Sequence, residues 1–443
     1  MPDGDGNFTE MGLEARPTLT PTPAPPASGR HLTLGDHLAI SCFWLAYNFH
    51  WGALIAIVIP SQIAAIVGES QKELYNGLIP SVGAAMSLVA TPVAGALSDR
   101  STSRFGRRRP FLVFGTVINI VFLLALSGFG VGSSIWLFLL GYLGIQLGNN
   151  WAGGPYAGLI PDVVPNAQRG AASGWLALMT ALGFLFGAMA AGRLVGGDSY
   201  VPIYGVIASV LAFFLAITVW RVRERPLTTD PGPFRLGEFA RSFLLRGAEY
   251  RDFYFVLFTR ALVMMGIYSV FTFFQFFLRD VIRVENPPLQ TSYLIAIIIG
   301  AGIPTSLVAG RLSDRFGRKP LVYVSGGLMA LASVIFIAVG FHPSLTLMFW
   351  VGALFGVGYG AYQAVDWALA IDVLPKGEAA AKDMGIWHVS LVLPAMLAPA
   401  LTGIILSAFK GTSILLGYTA VFVLTAVWFI LGTVFVKQIR GAR

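Results

Sequence analysis

Charge is scarce in this chain. Asp, Glu, Lys and Arg make up 12% of its 443 residues, about half the roughly 25% of a soluble domain. That is too little to cover a water-facing surface, and 56% of the residues are apolar, so much of the exterior is expected to face lipid. Cysteine is scarcer still. Cys42 is the only one, which excludes an intramolecular disulfide and a cysteine metal cluster. No nucleophile–base pair and no metal-ligand grouping is evident, so neither an enzyme nor a cofactor is expected. The net charge of +8 does not point to nucleic acid, because the basic residues fall in loops between apolar runs, where they orient a membrane protein. No apolar run with a small-residue cleavage site precedes the first span, so no cleavable signal is expected.

What the chain does have is long apolar segments, each near the roughly 20 residues needed to cross a bilayer. They lie near 37–60, 75–97, 111–129, 134–160, 171–192 and 201–220, and again near 253–278, 291–312, 320–340, 344–370, 384–408 and 413–436. This predicts an all-α integral membrane protein of twelve transmembrane helices in two pseudo-symmetric six-helix bundles. The expected division is a disordered, Pro-rich tail (1–35), a first bundle (36–220), an Arg-rich linker (221–251), a second bundle (252–437) and a short tail (438–443). An even number of spans puts both termini on one side. Most basic loop residues lie on that side, which predicts cytoplasmic termini.

The two halves repeat each other. Leu-Ser-Asp-Arg occurs at Leu97–Arg100 and Leu312–Arg315, each preceded by a glycine (Gly95, Gly310) and followed by Phe-Gly-Arg ending at Arg107 and Arg318. A second match joins Pro161-Asp162 to Ile371-Asp372. The offset between halves is 215 at Leu-Ser-Asp-Arg, 211 at Phe-Gly-Arg and 210 at the aspartates. The insertion Ser101–Arg104 explains the first change.

These motifs resemble those of the major facilitator superfamily, over essentially residues 36–437. The long loop GALSDRSTSRFGRRRP (Gly95–Pro110) is similar to that of the glycoside–pentoside–hexuronide cation symporters and of the plant sucrose transporters and their relatives. Phe49–Pro60, Gly154–Asp162 and Val365–Pro375 resemble the same sugar-transporting branch. There are departures. Thr91 stands before Pro92 where sodium-coupled members carry Asp, so a proton is expected rather than sodium. Ala157 stands where sucrose carriers have Arg. Ala188 follows Gly187 where proton-coupled drug antiporters have a Gly-Pro pair, which weighs against efflux.

Polar residues inside spans mark candidate sites, since hydrocarbon penalises them. In span one, Trp44, Tyr47, Asn48 and Trp51 share one helical face. Gln146, Asn149 and Asn150 share one in span four. Arg260, Met264, Tyr268, Phe271 and Gln275 do so in span seven, and Tyr359, Tyr362, Gln363 and Asp366 in span ten. The resemblance implies that these four spans line the central cavity.

Asp366, Arg260 and His50 are the expected proton-coupling residues, with Asp366 and Arg260 at similar depth as a proton-sensitive pair. Asn48, Trp51, Asn149, Asn150, Tyr268, Gln275, Tyr362 and Gln363 are the expected substrate contacts, because aromatic faces stack on sugar C–H groups and amides meet hydroxyls. Gly95, Asp99, Arg100, Arg107, Asp162, Gly310, Asp314, Arg315, Arg318 and Asp372 are the expected gating residues, which the resemblance implies latch the cytoplasmic side. The expected function is proton-coupled symport of a sugar or glycoside by alternating access, as a monomer in the plasma membrane. The alternatives are a facilitator or exporter of another small polar metabolite and, behind it, a transporter-like sensor.

Overall fold

The computed structural model describes residues 31–196, 199–222, 224, 237, 250–373 and 380–441. The expected disordered tail, most of the linker and the last two residues lie outside them. Among the described residues there are twelve long helices and no strand. The first six are α1 (Leu34–Val67, with a π-helical turn at Leu54–Val58), α2 (Lys72–Asp99), α3 (Arg109–Leu126), α4 (Ile135–Val163), α5 (Arg169–Leu194) and α6 (Val201–Arg221). The second six are α7 (Arg251–Ile282), α8 (Pro287–Phe316), α9 (Arg318–Phe341), α10 (Leu345–Val373), α11 (Ala380–Phe409) and α12 (Ile414–Val434).

Helix ends follow local chemistry. Thr33 and Asp36 form a reciprocal capping box at the start of α1, a device worth about 1 kcal/mol. Asn286 caps α8 ahead of Pro287 and Pro288, and Ser413 caps α12. Gly317, at φ 94°, breaks the chain between α8 and α9. Eleven of the twelve helices are long and apolar enough to span a membrane. The other, α4, is diluted by Gln146, Asn149 and Asn150, which are all buried.

Packing repeats with the sequence. In the first half α1 packs on α5 and α6, α4 on α2 and α3, and α3 on α6. In the second half α7 packs on α11 and α12, α10 on α8 and α9, and α9 on α12, which is the same set shifted by six helices. Between halves the most extensive contacts are α2 with α11 and α5 with α8, and these two pairs exchange under that shift.

The inner helices are those with least lipid exposure. In its most apolar window α7 is 89% buried, whereas α3 is 33% buried. Phe114, Val117, Val121 and Leu124 are exposed along one stripe of α3, where no helix partner covers them and lipid would. Trp136, Trp220 and Trp350 are exposed near helix ends, the depth at which tryptophan favours the interface.

Candidate functional site

Among the described residues, Arg260 and Asp366 are the charged side chains set deepest from any helix end. Arg260 lies about 13 Å into α7, and Asp366 about 10 Å short of the end of α10, at 1.5 Å per residue. The fold brings them together, with Arg260 Nε 3.3 Å from Asp366 Oδ2. Asp366 is held from its own helix, where the Tyr362 hydroxyl donates to Oδ1 at 2.9 Å. The Arg260 guanidinium lies over the Trp387 ring of α11 at 3.8 Å. Its Nε and Nη1 are buried without a hydrogen-bond acceptor.

Aromatic residues from both halves lie around Tyr268 and Phe271, on the same face of α7 as Arg260. Tyr268 lies within electrostatic reach of Tyr359, Arg260 and, from the other half, Tyr47. Phe271 packs against Tyr359 and across the halves against Phe184. Trp51, Tyr47, Tyr268 and Tyr359 are half-buried and Gln363 is exposed, so this interior face keeps solvent access.

Other expected residues are used differently. His50 is fully buried in the first half with its ring edge-on to Trp51, and it does not join Arg260 and Asp366. Asn150 accepts from Thr91 while donating to Gln146, and is committed inside the first bundle; Asn149 accepts from Asn119 but its buried Nδ2 has no hydrogen-bond partner. Asn48 donates to the Trp44 carbonyl one turn back.

Gln275 meets Ser61 at 2.5 Å, and its amide group can donate to the Ala56 and Ile57 carbonyls at 3.0 Å. Those carbonyls lie in the π-helical turn of α1, so Gln275 braces α7 against α1 in this conformation. The physical reason is common to these amides: a buried side chain in hydrocarbon takes the nearest partner.

The end opposite the Leu-Ser-Asp-Arg loops is locked, and this was not foreseen. Lys72, only 1% exposed, reaches Glu69 and Asp280 at 2.6 Å and lies 3.9 Å from Glu73. Lys410 pairs with Glu73 at 2.5 Å, and Arg279 pairs with Glu69. Three acids and three bases thus join α2 and its preceding loop to the ends of α7 and α11. Burial would raise the Glu69 pKa, but its hydrogen bond to Lys72 and the charges of Lys72, Arg279 and Lys410 hold it below its ordinary 4.5. The signal was present in the sequence, since Lys72, Arg279 and Lys410 are among the few bases on that side.

Helix packing shows the same asymmetry. A Cβ on Gly77 would meet the Pro399 carbonyl at 2.5 Å, and one on Gly403 would meet the Glu73 carbonyl at 2.5 Å. On the other pair, a Cβ on Gly192 would meet Ser292 Oγ at 2.3 Å. At the motif end of these helix pairs, a Cβ on Gly95, Gly170, Gly174 or Gly310 would meet nothing within 4 Å among the described residues. Gly95 and Gly310, two of the expected gating residues, therefore make no close contact with the described residues in this conformation: among those residues the halves meet at the far end and part at the motif end.

The motif loops carry matched polar networks, each within its own half. Arg318 binds Asp314 at 2.6 Å, Asp372 at 3.1 Å and Ser313 Oγ at 2.6 Å. In the first half the same set of contacts belongs to Arg108, which binds Asp99 at 2.6 Å, Asp162 at 2.7 Å and Ser98 Oγ at 3.1 Å. Arg107, the match by Phe-Gly-Arg, adds a second bond to Asp162 at 2.5 Å. Burial would lower its pKa, but Asp162, Asp99 and Glu224 raise it.

The equivalent of Arg318 is thus Arg108. Its offset of 210 equals that of Pro110 to Pro320 and Asp162 to Asp372, so the register shifts once more just after Gly106. Glu224, from the start of the linker, accepts the Arg108 backbone N–H at 2.7 Å. Arg315 lies over Phe316 at 5.4 Å, and Arg100 follows Asp99 where α2 ends.

Two six-helix halves around an interior charge pair, closed at one end, define a membrane transporter. The sequence model of the Major Facilitator Superfamily matches residues 38–381 and 301–440, and the chain belongs to that superfamily. Among its relatives, the "Multi-drug resistance efflux pump PmrA homolog" of Lactococcus lactis subsp. lactis (strain IL1403) is 23% identical over 346 residues, 76% of this chain and 79% of its own. "Multidrug resistance protein MdtG" of Salmonella paratyphi C (strain RKS4594) is 26% identical over 293 residues, 64% of this chain and 68% of its own.

The fold is similar to a bacterial homolog of the human lysosomal transporter Spinster, inward-facing and unoccupied. The TM-score is 0.69 at 16% identity, over 91% of this chain and 96% of that one. It is also similar to a D-xylose–proton symporter, with TM-score 0.68 at 17% identity over 91% and 97%. At these identities the structures establish the fold alone.

Proposed function

We propose that this protein is a proton-coupled secondary transporter that carries a sugar or glycoside by alternating access. It acts as a monomer in the plasma membrane with both termini cytoplasmic. The observation that carries the reading is the Arg260–Asp366 pair, 3.3 Å apart in the interior of an otherwise nearly uncharged set of helices. An acid and a base at that depth are costly unless they work, and an Asp held by Tyr362 can load and release one proton as access alternates.

The aromatic lining of Trp51, Tyr47, Tyr268 and Tyr359 supports a sugar. A proton is favoured over sodium because Thr91 replaces the expected acid and is itself engaged with Asn150.

Uptake of labelled mono- and disaccharides into proteoliposomes, with and without an acid-outside gradient, tests this. Accumulation above equilibrium only with the gradient is expected. Sugar uptake that ignores the gradient, or an absence of sugar uptake, contradicts it. The second reading is export of another small polar molecule, favoured by the efflux names of the relatives. Gradient-driven loss of a preloaded non-sugar substrate would select that reading.

A further inference from the structure

The guanidinium of Arg260 is incompletely used by the protein. Of its five donors, Nε and Nη1 are buried with no acceptor, and the approach to Asp366, at 3.3 Å, is an ion-pair contact without hydrogen-bond geometry. Trp387 covers one face of the group, which fixes its plane and leaves an edge. Asp366, meanwhile, is oriented by Tyr362 from its own helix, so its position does not depend on Arg260. The half-buried Tyr268 lies near this guanidinium, and the half-buried Tyr359 and Tyr47 lie near Tyr268.

We propose that Arg260 is the anchor for an anionic group on the substrate, a carboxylate received by the free edge of the guanidinium, and that each anion enters with one proton on Asp366. This rests on the proton coupling of the reading above and replaces its neutral sugar by small organic monoanions with a ring or hydroxylated body. The planar fork of arginine matches a carboxylate with two parallel N–H···O bonds. Charge balance then sets the stoichiometry. Arg260 and Asp366 sum to zero, and a bound monoanion leaves the interior one charge negative. A proton taken from water onto a carboxylate oxygen of Asp366 restores neutrality.

The groups against Asp366 are Arg260 from α7 and Tyr362 on its own helix, with Tyr268 beside Arg260 and Tyr359 and Tyr47 beside Tyr268. Among the described side chains, α11 adds only the non-titrating Trp387. Asp366 is therefore the one carboxylate in this group that can take the proton.

The test is equilibrium binding to the purified full-length protein, read by thermal shift and tryptophan fluorescence. The probes are matched acids and amides: gluconate against gluconamide, and benzoate against benzamide. The acid of at least one pair is expected to bind about tenfold or more tightly than its amide. Arg260→Gln should abolish that preference, and Arg260→Lys should keep part of it. In wild type the acid should bind with uptake of one proton, measured as buffer-dependent heat, and Asp366→Asn should bind the acid with none. Equal affinity for acid and amide in both pairs, or a preference that survives Arg260→Gln, overturns the proposal.

Proteoliposome flux separates this from the broader reading. Gradient-driven uptake of neutral sugars with no acid preference in binding sinks the anion anchor alone. Acid-selective binding without any gradient-driven flux sinks proton-coupled transport and leaves the anchor standing.

Discussion

Lys72 shows what a single buried charge does in this protein. It is 1% exposed and within ion-pair distance of Glu69, Glu73 and Asp280. Lys72→Met would leave the equally buried Glu73 with Lys410 alone. Breaking such a buried network costs about 3–5 kcal/mol, so the variant should lose the far-end closure, and Asp280→Asn added to it, which removes the charge that Lys72 neutralised, should restore part. Thiol labelling of a cysteine placed at Ser61 would report both. Glu69 gives the pH sign. Its folded pKa lies below the ordinary 4.5, so its contribution is present above pH 4.5 and is lost as pH falls through the depressed value. Far-end labelling, taken relative to that of the unfolded chain at the same pH so that the thiolate fraction cancels, should therefore rise only in that acid window; an increase in this ratio on going alkaline from pH 5 to 7 would refute the assignment. None of this was legible in the motifs, because the partners come from α7 and α11, and only tertiary proximity reveals them. The Arg260–Asp366 pair was legible, since both are charged residues deep in spans at matched depth. The amides were not, because periodicity reports which face a residue occupies and not whether a neighbour already binds it, as Ser61 binds Gln275.

Helices were the most legible level. Each expected span falls on one helix, because length and apolarity alone define a crossing segment. Their ends shifted where caps and glycines decide, as at Thr33 and Gly317. The loop register was half legible. Gly106 and Gly317 share a positive φ, which the Phe-Gly-Arg match captured, while the extra residue after Gly106 hid Arg108. Arg108→Ala should destabilise the first half by about 1–3 kcal/mol, since it removes a side chain 7% exposed from Ser98, Asp99 and Asp162, while Asp162 keeps Arg107 and Asp99 is 53% exposed. Arg107→Ala, at a side chain 26% exposed, should cost no more than about 1 kcal/mol; thermal unfolding of the purified variants compares them. Close glycine contacts make a second comparison. Gly77→Leu must displace the Pro399 carbonyl and should block far-end closure, whereas Gly95→Leu meets open space here. If transport requires the motif ends to close in turn, Gly95→Leu should leave the conformation described here intact yet stop turnover, which labelling and uptake measured together would show.

At the scale of the whole molecule, two halves with the same packing pattern meet through α2–α11 and α5–α8, tightly at one end and loosely at the other. Two equivalent halves permit the reverse arrangement, in which the motif glycines meet and the far-end charges part. The interior charge pair lies between these two contact zones, where a change of its protonation can bias which of them closes. On the proposed reading, this link between one proton and the choice of closed end is what drives accumulation, and removing the titrating group separates the two. Proteoliposomes containing wild type or Asp366→Asn are given a labelled substrate, and both exchange at equal pH and accumulation under an acid-outside gradient are recorded. The account predicts that wild type does both and that Asp366→Asn exchanges substrate but does not accumulate it. Accumulation by Asp366→Asn at the wild-type level would contradict it.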